Sequence, residues 1–206
     1  MLKINSYEAI TLILFNKSIT MKYVACLVIL TTLISCKVEN VNVNNQLAVV
    51  GSVDNKPKQV YQKGDIVINA YNFQSIEPLF HKKDGKTYVI NFWATWCKPC
   101  VAELPHFEHV KKEYESKNVE VILISLDLPT MVETNLLPFL EKHQLKSQVV
   151  LLDDPKQNEW IPKVSENWEG SIPATLIYNE NQRAFFEKTF TLVELKNNLD
   201  QILKSN

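Results

Sequence analysis

The chain has 206 residues, 46% apolar and 22% charged, a globular composition long enough for one ordinary domain plus an appendage. Its formal net charge is −1, so no polybasic surface argues for nucleic acid or anionic lipid. Of the four cysteines, Cys26 and Cys36 fall in an N-terminal apolar stretch, so the folded part keeps only Cys97 and Cys100 and a structural disulfide framework is excluded.

Residues 1–20 carry no clear pattern. Met21-Lys22, followed by a mostly apolar run over 24–35, reads as the true start of a signal peptide. That run is shorter than the about 20 residues that cross a bilayer. It ends in Leu33-Ile34-Ser35-Cys36, which resembles the lipobox of bacterial lipoproteins, where the peptide is cut before a cysteine that is then acylated. An ordinary signal peptide, or an uncleaved anchor with a chance cysteine, is the other reading. Residues 1–36 are thus assigned to signal peptide and lipobox. The asparagine-rich stretch 37–46 is assigned to a flexible tether, because it has too little apolar area to bury. Residues 47–206 are left for the globular domain.

Stretches 47–53 and 59–70 are β-rich but weakly patterned. Over 74–82, Ile76, Leu79 and Phe80 stand at helical spacing, and Asp84-Gly85 marks a turn. The apolar run 88–93, interrupted by Asn91, suits a strand covered on both faces. Val101, Leu104, Phe107, Val110 and Tyr114 then line a helix over 98–117, which Pro105 should bend. Residues 119–126 read as a second buried strand, so strand, helix and strand imply a right-handed parallel crossover. A helix is expected over 132–143, a strand over 149–152 and a helix over 155–167. Strands at 174–178 and 184–188, joined by a turn at 179–182, predict an antiparallel hairpin. Thr191 and Glu194 form a capping-box pattern ahead of Leu192, Leu195, Leu199 and Ile202 in a last helix. The sum is a mixed α/β sheet with helices on both faces.

Cys97 and Cys100 stand where a buried strand ends and a helix begins. Unpaired amides and the helix dipole at that end favour an anion, so Cys97 is expected to be the attacking thiolate. Cys100, one turn inward, is placed to resolve a mixed disulfide. Pro99 is tolerated in a first turn, and Lys98 adds positive charge beside the thiolate. Half a zinc site is the competing reading. It lacks a second cysteine pair, and His106 and His109 lie too far along the same helix to fold back. A haem attachment site would need histidine where Val101 stands.

Trp93-Ala94-Thr95-Trp96-Cys97-Lys98-Pro99-Cys100 resembles the active-site signature of the thioredoxin superfamily. Glu103-Leu104-Pro105 resembles its membrane-anchored, extracytoplasmic TlpA/ResA-like branch, and the likeness covers roughly residues 66–203. The resemblance implies a thioredoxin-like fold, with an inserted strand and helix at about 148–168. It also implies that Ile172-Pro173 is a cis-proline loop whose backbone pairs with the substrate. The buried acid of cytoplasmic thioredoxins is replaced by Asn91, so the proton acceptor for Cys100 must lie elsewhere. Glu103, one turn after Cys100, is the candidate, against a plain reading as a solvated first-turn glutamate. Trp93 and Trp96 are expected to pack around the pair, with Trp96 partly exposed for docking. Trp160 and Trp168 are assigned to the core, and His81 and His143 are expected to be solvated without a role.

These readings lead to a thiol-disulfide oxidoreductase needing no cofactor and no metal. By resemblance it is a monomer anchored through Cys36 in the bacterial cell envelope, facing the periplasm. There it reduces disulfides of envelope proteins, oxidised apocytochrome c among them, with electrons from a membrane donor. A copper-binding chaperone using the two thiolates and a disulfide oxidase or isomerase are the alternatives.

Overall fold

The computed structural model describes residues 56–204. The assignments made for Met21, Cys36, the tether over 37–46 and the stretch 47–53 lie outside those residues.

Two antiparallel strands open the described chain, β1 (Gln59–Lys63) and β2 (Ile66–Tyr71). A four-residue helix α1 (Phe73–Ile76) follows, capped by the Asn72 side chain on Ser75 N–H, and continues as a 3-10 turn, Glu77–His81. The break within the expected helix coincides with Pro78, which has no N–H for helical bonding. Next come β3 (Thr87–Trp93), α2 (Lys98–Glu113), β4 (Val119–Ser125), a π turn Val132–Leu136 running into α3 (Leu137–His143), and β5 (Gln148–Leu152). The chain closes with α4 (Gln157–Val164), β6 (Ala174–Tyr178), β7 (Arg183–Phe186) and α5 (Leu192–Leu203).

The seven strands form one sheet in the order β1-β2-β5-β4-β3-β6-β7. β2, β5, β4 and β3 run parallel to one another, while β1 is antiparallel to β2, β6 to β3 and β7 to β6. The expected crossover from β3 to β4 and the expected β6–β7 hairpin are both present. The inserted strand β5 is interior, lying between β2 and β4. Every residue of β3 and β4 is buried, as continuous apolar runs require when both faces are covered.

Two apolar clusters cover the sheet. Val89 and Trp93 of β3 pack with Leu104, Phe107 and Val110 of α2 and with Leu195 and Leu199 of α5. Tyr88, Ile90 and Phe92 point the other way, toward Phe73, Phe80, Trp160 and Trp168. Alternation along the strand therefore puts Asn91 under α2, with Val89 and Trp93. Burying a large apolar side chain is worth about 1.5–3 kcal/mol, so a polar residue in this row is a loss unless its amide is used.

Several boundaries differ from expectation for local reasons. α2 runs through Pro105, stops at Glu113 and gives way to a 3-10 turn, Glu115–Lys117, which ends at left-handed Asn118. α4 stops at Val164, because Ser165 is extended. Trp168, expected in the core, packs there from a turn, with Nε1 donating to the Ser171 carbonyl. The capping box at Thr191 and Glu194 is formed as expected.

Candidate active site

Cys97 is the N-cap of α2, so the β3–α2 junction aims the helix's first amides at its sulfur. The Cys100 N–H donates to Cys97 Sγ at 3.3 Å, and the two sulfurs are joined as a disulfide with Cα atoms 5.3 Å apart. Cys97 is 6% exposed and Cys100 fully buried. Lys98 and Pro99 between them are exposed. The Ile172–Pro173 bond is cis, and Cys97 Sγ lies 3.8 Å from the Ile172 carbonyl oxygen. The sequence-expected residues Cys97, Cys100, Ile172 and Pro173 thus meet where β3 ends and β6 begins, in the interior of the strand order.

Glu103 is 1% exposed and not the solvated glutamate of the plain reading. Its Oε1 accepts from Asn91 Nδ2 at 3.0 Å, and its Oε2 accepts from the Phe190 N–H at 2.7 Å. Burial pushes this carboxyl up to about 7, while the two donors pull the other way. Asn91 also donates to Thr175 Oγ1 at 3.1 Å and the Ala174 carbonyl at 3.4 Å, leaving its own Oδ1 buried without a partner. Asn91 therefore ties Glu103 to the first residues of β6, directly after Pro173.

The two tryptophans part company. Trp93 is fully buried and packs on Phe139, whereas Trp96 is 56% exposed. Trp160 and Trp168 lie in the core as expected, edge to face. His81 and His143 are exposed, the latter stacked on Phe139. Half-buried His106 and exposed His109 lie along α2, and His109 pairs with Glu113. Among the described residues, no group of three His, Cys, Asp or Glu side chains is placed to hold a metal ion. None of their helices is long and apolar enough to cross a membrane.

Sequence reading missed Asp127. This residue, just past β4, is 2% exposed and accepts from Thr95 N–H at 3.1 and 3.2 Å, from Thr95 Oγ1 at 2.6 Å and from Ser125 Oγ at 2.8 Å. It pins the turn that carries Trp96 and Cys97 to the end of the neighbouring strand. The one available signal was a lone acid ending an apolar run, which a solvated loop residue would give equally.

The sheet order, the helices on both faces and the cis-proline opposite a Cys-x-x-Cys helix start define a thioredoxin-like fold. Solved structures share it. A secreted thiol-disulfide isomerase from Corynebacterium glutamicum matches with TM-score 0.50 at 17% identity, over 69% of this chain and 79% of that one. A thioredoxin-related protein from Neisseria meningitidis serogroup B also gives TM-score 0.50, at 21% identity, over 60% of this chain and 88% of that one. The AhpC/TSA family pattern matches residues 69–183, and the chain belongs to that family. Among its relatives, the thiol-disulfide oxidoreductase ResA of Oceanobacillus iheyensis is 34% identical over 103 residues, 49% of each chain. ResA of Geobacillus thermodenitrificans is 27% identical over 120 residues, covering 57% of this chain and 64% of that protein. The matched part spans less than two thirds of the length of these relatives.

Proposed function

We propose that the chain is a thiol-disulfide oxidoreductase that reduces disulfides of proteins in the bacterial cell envelope. The observation carrying this reading is the asymmetry of the sulfur pair. One sulfur belongs to Cys97, which keeps a sliver of exposure beside the Ile172 carbonyl, and the other is wholly buried one helical turn in, ahead of a buried acid.

In the reduced protein, the Cys97 thiolate attacks one sulfur of a substrate disulfide. The substrate S–S bond breaks, a Cys97–substrate disulfide forms, and the other substrate sulfur leaves as a thiolate. Cys97 is held as thiolate by the amides at the start of α2, of which the Cys100 N–H is aimed at it. Glu103 takes the proton of Cys100, whose sulfur then attacks Cys97 Sγ and expels the second substrate thiolate. Two electrons pass to the substrate, and the Cys97–Cys100 disulfide is the product state. A thiol donor restores the dithiol by the same exchanges in reverse, so the sulfurs themselves carry the electrons.

Supporting roles follow from placement. Ile172 and cis-Pro173 present backbone to the incoming chain, and exposed Trp96 supplies apolar contact beside the sulfur. Trp93, Pro99 and Asn91 fix the junction, and Lys98 adds charge at its rim. The proposal includes a signal peptide ending at a lipidated Cys36, a periplasm-facing monomer and a membrane electron donor. The lipobox-like Leu33 to Cys36 supports the anchor, and the relatives named thiol-disulfide oxidoreductase ResA support the chemistry.

The test is reduction of insulin or a disulfide peptide with dithiothreitol as donor, joined to a redox titration against glutathione. Turnover abolished by Cys97→Ser, a trapped mixed disulfide in Cys100→Ser, and a potential well below that of the glutathione pool are expected. A potential near −120 mV, where strong oxidants of this chemistry lie, would reverse the direction to oxidase. Tight Cu(I) binding with no turnover would replace the reading by metal handling.

A further inference from the structure

Glu187 is the first residue beyond β7, one place past the Phe186–Thr175 pairing. Antiparallel register brings it alongside the chain that enters β6 through Pro173 and Ala174. Its two carboxylate oxygens are both used by backbone. Oε2 accepts from the Glu169 N–H at 2.9 Å, and Oε1 accepts from the Ser171 N–H at 2.6 Å. From the other side, Trp168 Nε1 donates to the Ser171 carbonyl at 2.9 Å. Between these holds sits Gly170, at φ 97°, a conformation that a side chain rarely adopts. The stretch 169–171 is therefore a turn clamped at three backbone groups, and it delivers Ile172, whose carbonyl faces Cys97 Sγ.

We infer that Glu187 is a positioning residue for the substrate chain, acting through residues 169–171 on the backbone of Ile172. This rests on the disulfide-reductase reading above. Glu187 does not touch the sulfurs; it holds the docking edge in the conformation that an extended peptide would pair with. An edge held in advance need not be ordered when the peptide arrives, so its benefit falls on peptide affinity. A small disulfide that reaches Cys97 without lying along Ile172 gains nothing from it.

The experiment compares two substrates, a disulfide-bonded peptide and Ellman's reagent, for the wild type, Glu187→Gln and Glu187→Ala. Gln keeps one carbonyl acceptor for two N–H groups, and Ala keeps none. With two hydrogen bonds lost, Ala should lower the peptide-to-small-disulfide ratio of kcat/KM by about tenfold, and Gln by about threefold, the change lying in peptide KM. Trp168→Phe, which removes the indole N–H on the other side of the same turn and also shrinks a ring packed on Phe92 and Phe185, should move the ratio the same way and covers the case of a poorly folding Ala variant. A lowered melting temperature with the ratio unchanged in both Gln and Phe variants would assign Glu187 to stability alone and overturn the inference. If the wild type itself turns over neither substrate, the reductase reading fails and this inference goes with it.

Discussion

Asn91 on β3 and Glu103 on α2 meet at 3.0 Å beneath the sulfur pair, an uncharged amide holding a carboxyl that burial has pushed up to about 7. A carboxyl in water titrates near 4.3, so the folded protein binds this proton more tightly than the unfolded chain. Between those two values the native state keeps a proton that the unfolded chain has released, and stability falls as pH rises.

Glu103→Gln should remove that slope. The whole shift corresponds to about 3–4 kcal/mol, and relaxation of the surroundings reduces the expected loss to about 2 kcal/mol between pH 4.5 and 7.5. Denaturant unfolding of the oxidised protein across this range should show the wild type declining and the Gln variant flat. Parallel curves would mean that Glu103 titrates normally. The same substitution should slow resolution of the mixed disulfide and erase its rise through pH 7, because below that pH the wild-type carboxyl is protonated and cannot take the proton of Cys100.

Asn91→Leu should move the inflection rather than erase it. Donation from Asn91 stabilises the carboxylate, so a leucine that cannot donate leaves Glu103 protonated to higher pH. The pH profile of peptide-disulfide exchange should shift upward by a measurable fraction of a unit. A downward shift would contradict the role given to the amide.

Asp127 predicts a contrast between its amide and its truncated form. Asp127→Asn keeps an oxygen for Thr95, and Asp127→Ala leaves the Thr95 N–H and hydroxyl without their acceptor. Ala should destabilise by roughly 1–3 kcal/mol and slow alkylation of reduced Cys97, with Asn restoring most of both. Iodoacetamide kinetics on the reduced protein read the second effect, and equal behaviour of Ala and Asn would remove the turn from control of the sulfur.

The tryptophans separate packing from docking. Trp93→Ala opens a cavity in a fully buried row and should cost about 3–5 kcal/mol. Trp96→Ala, at an exposed site, should change stability by less than about 0.5 kcal/mol yet weaken protein-disulfide reduction several-fold. Thermal melts beside insulin turnover distinguish them, and equal turnover in Trp96→Ala and wild type would end its docking role.

What could be read from the sequence was whatever repeats locally. The runs at β3 and β4 were legible because strands buried along their whole length leave a mostly apolar signal, broken by Asn91 in one and Glu120 in the other. The sulfur pair was legible from its spacing at a strand–helix junction, and Glu103 from its place one turn on. Asp127 and Glu187 were not, because each works through backbone N–H groups 32, or 16 and 18, positions away, and such bonds leave no periodic trace. The expected helix over 155–167 overran α4 because the backbone turns extended at Ser165.

The unequal depth of the two sulfurs has a consequence for life among stray oxidised thiols. Any adduct that forms should form on Cys97, because Cys100 offers no surface to a bystander. The hidden neighbour can then evict it, so dead-end capping by small thiols is self-clearing.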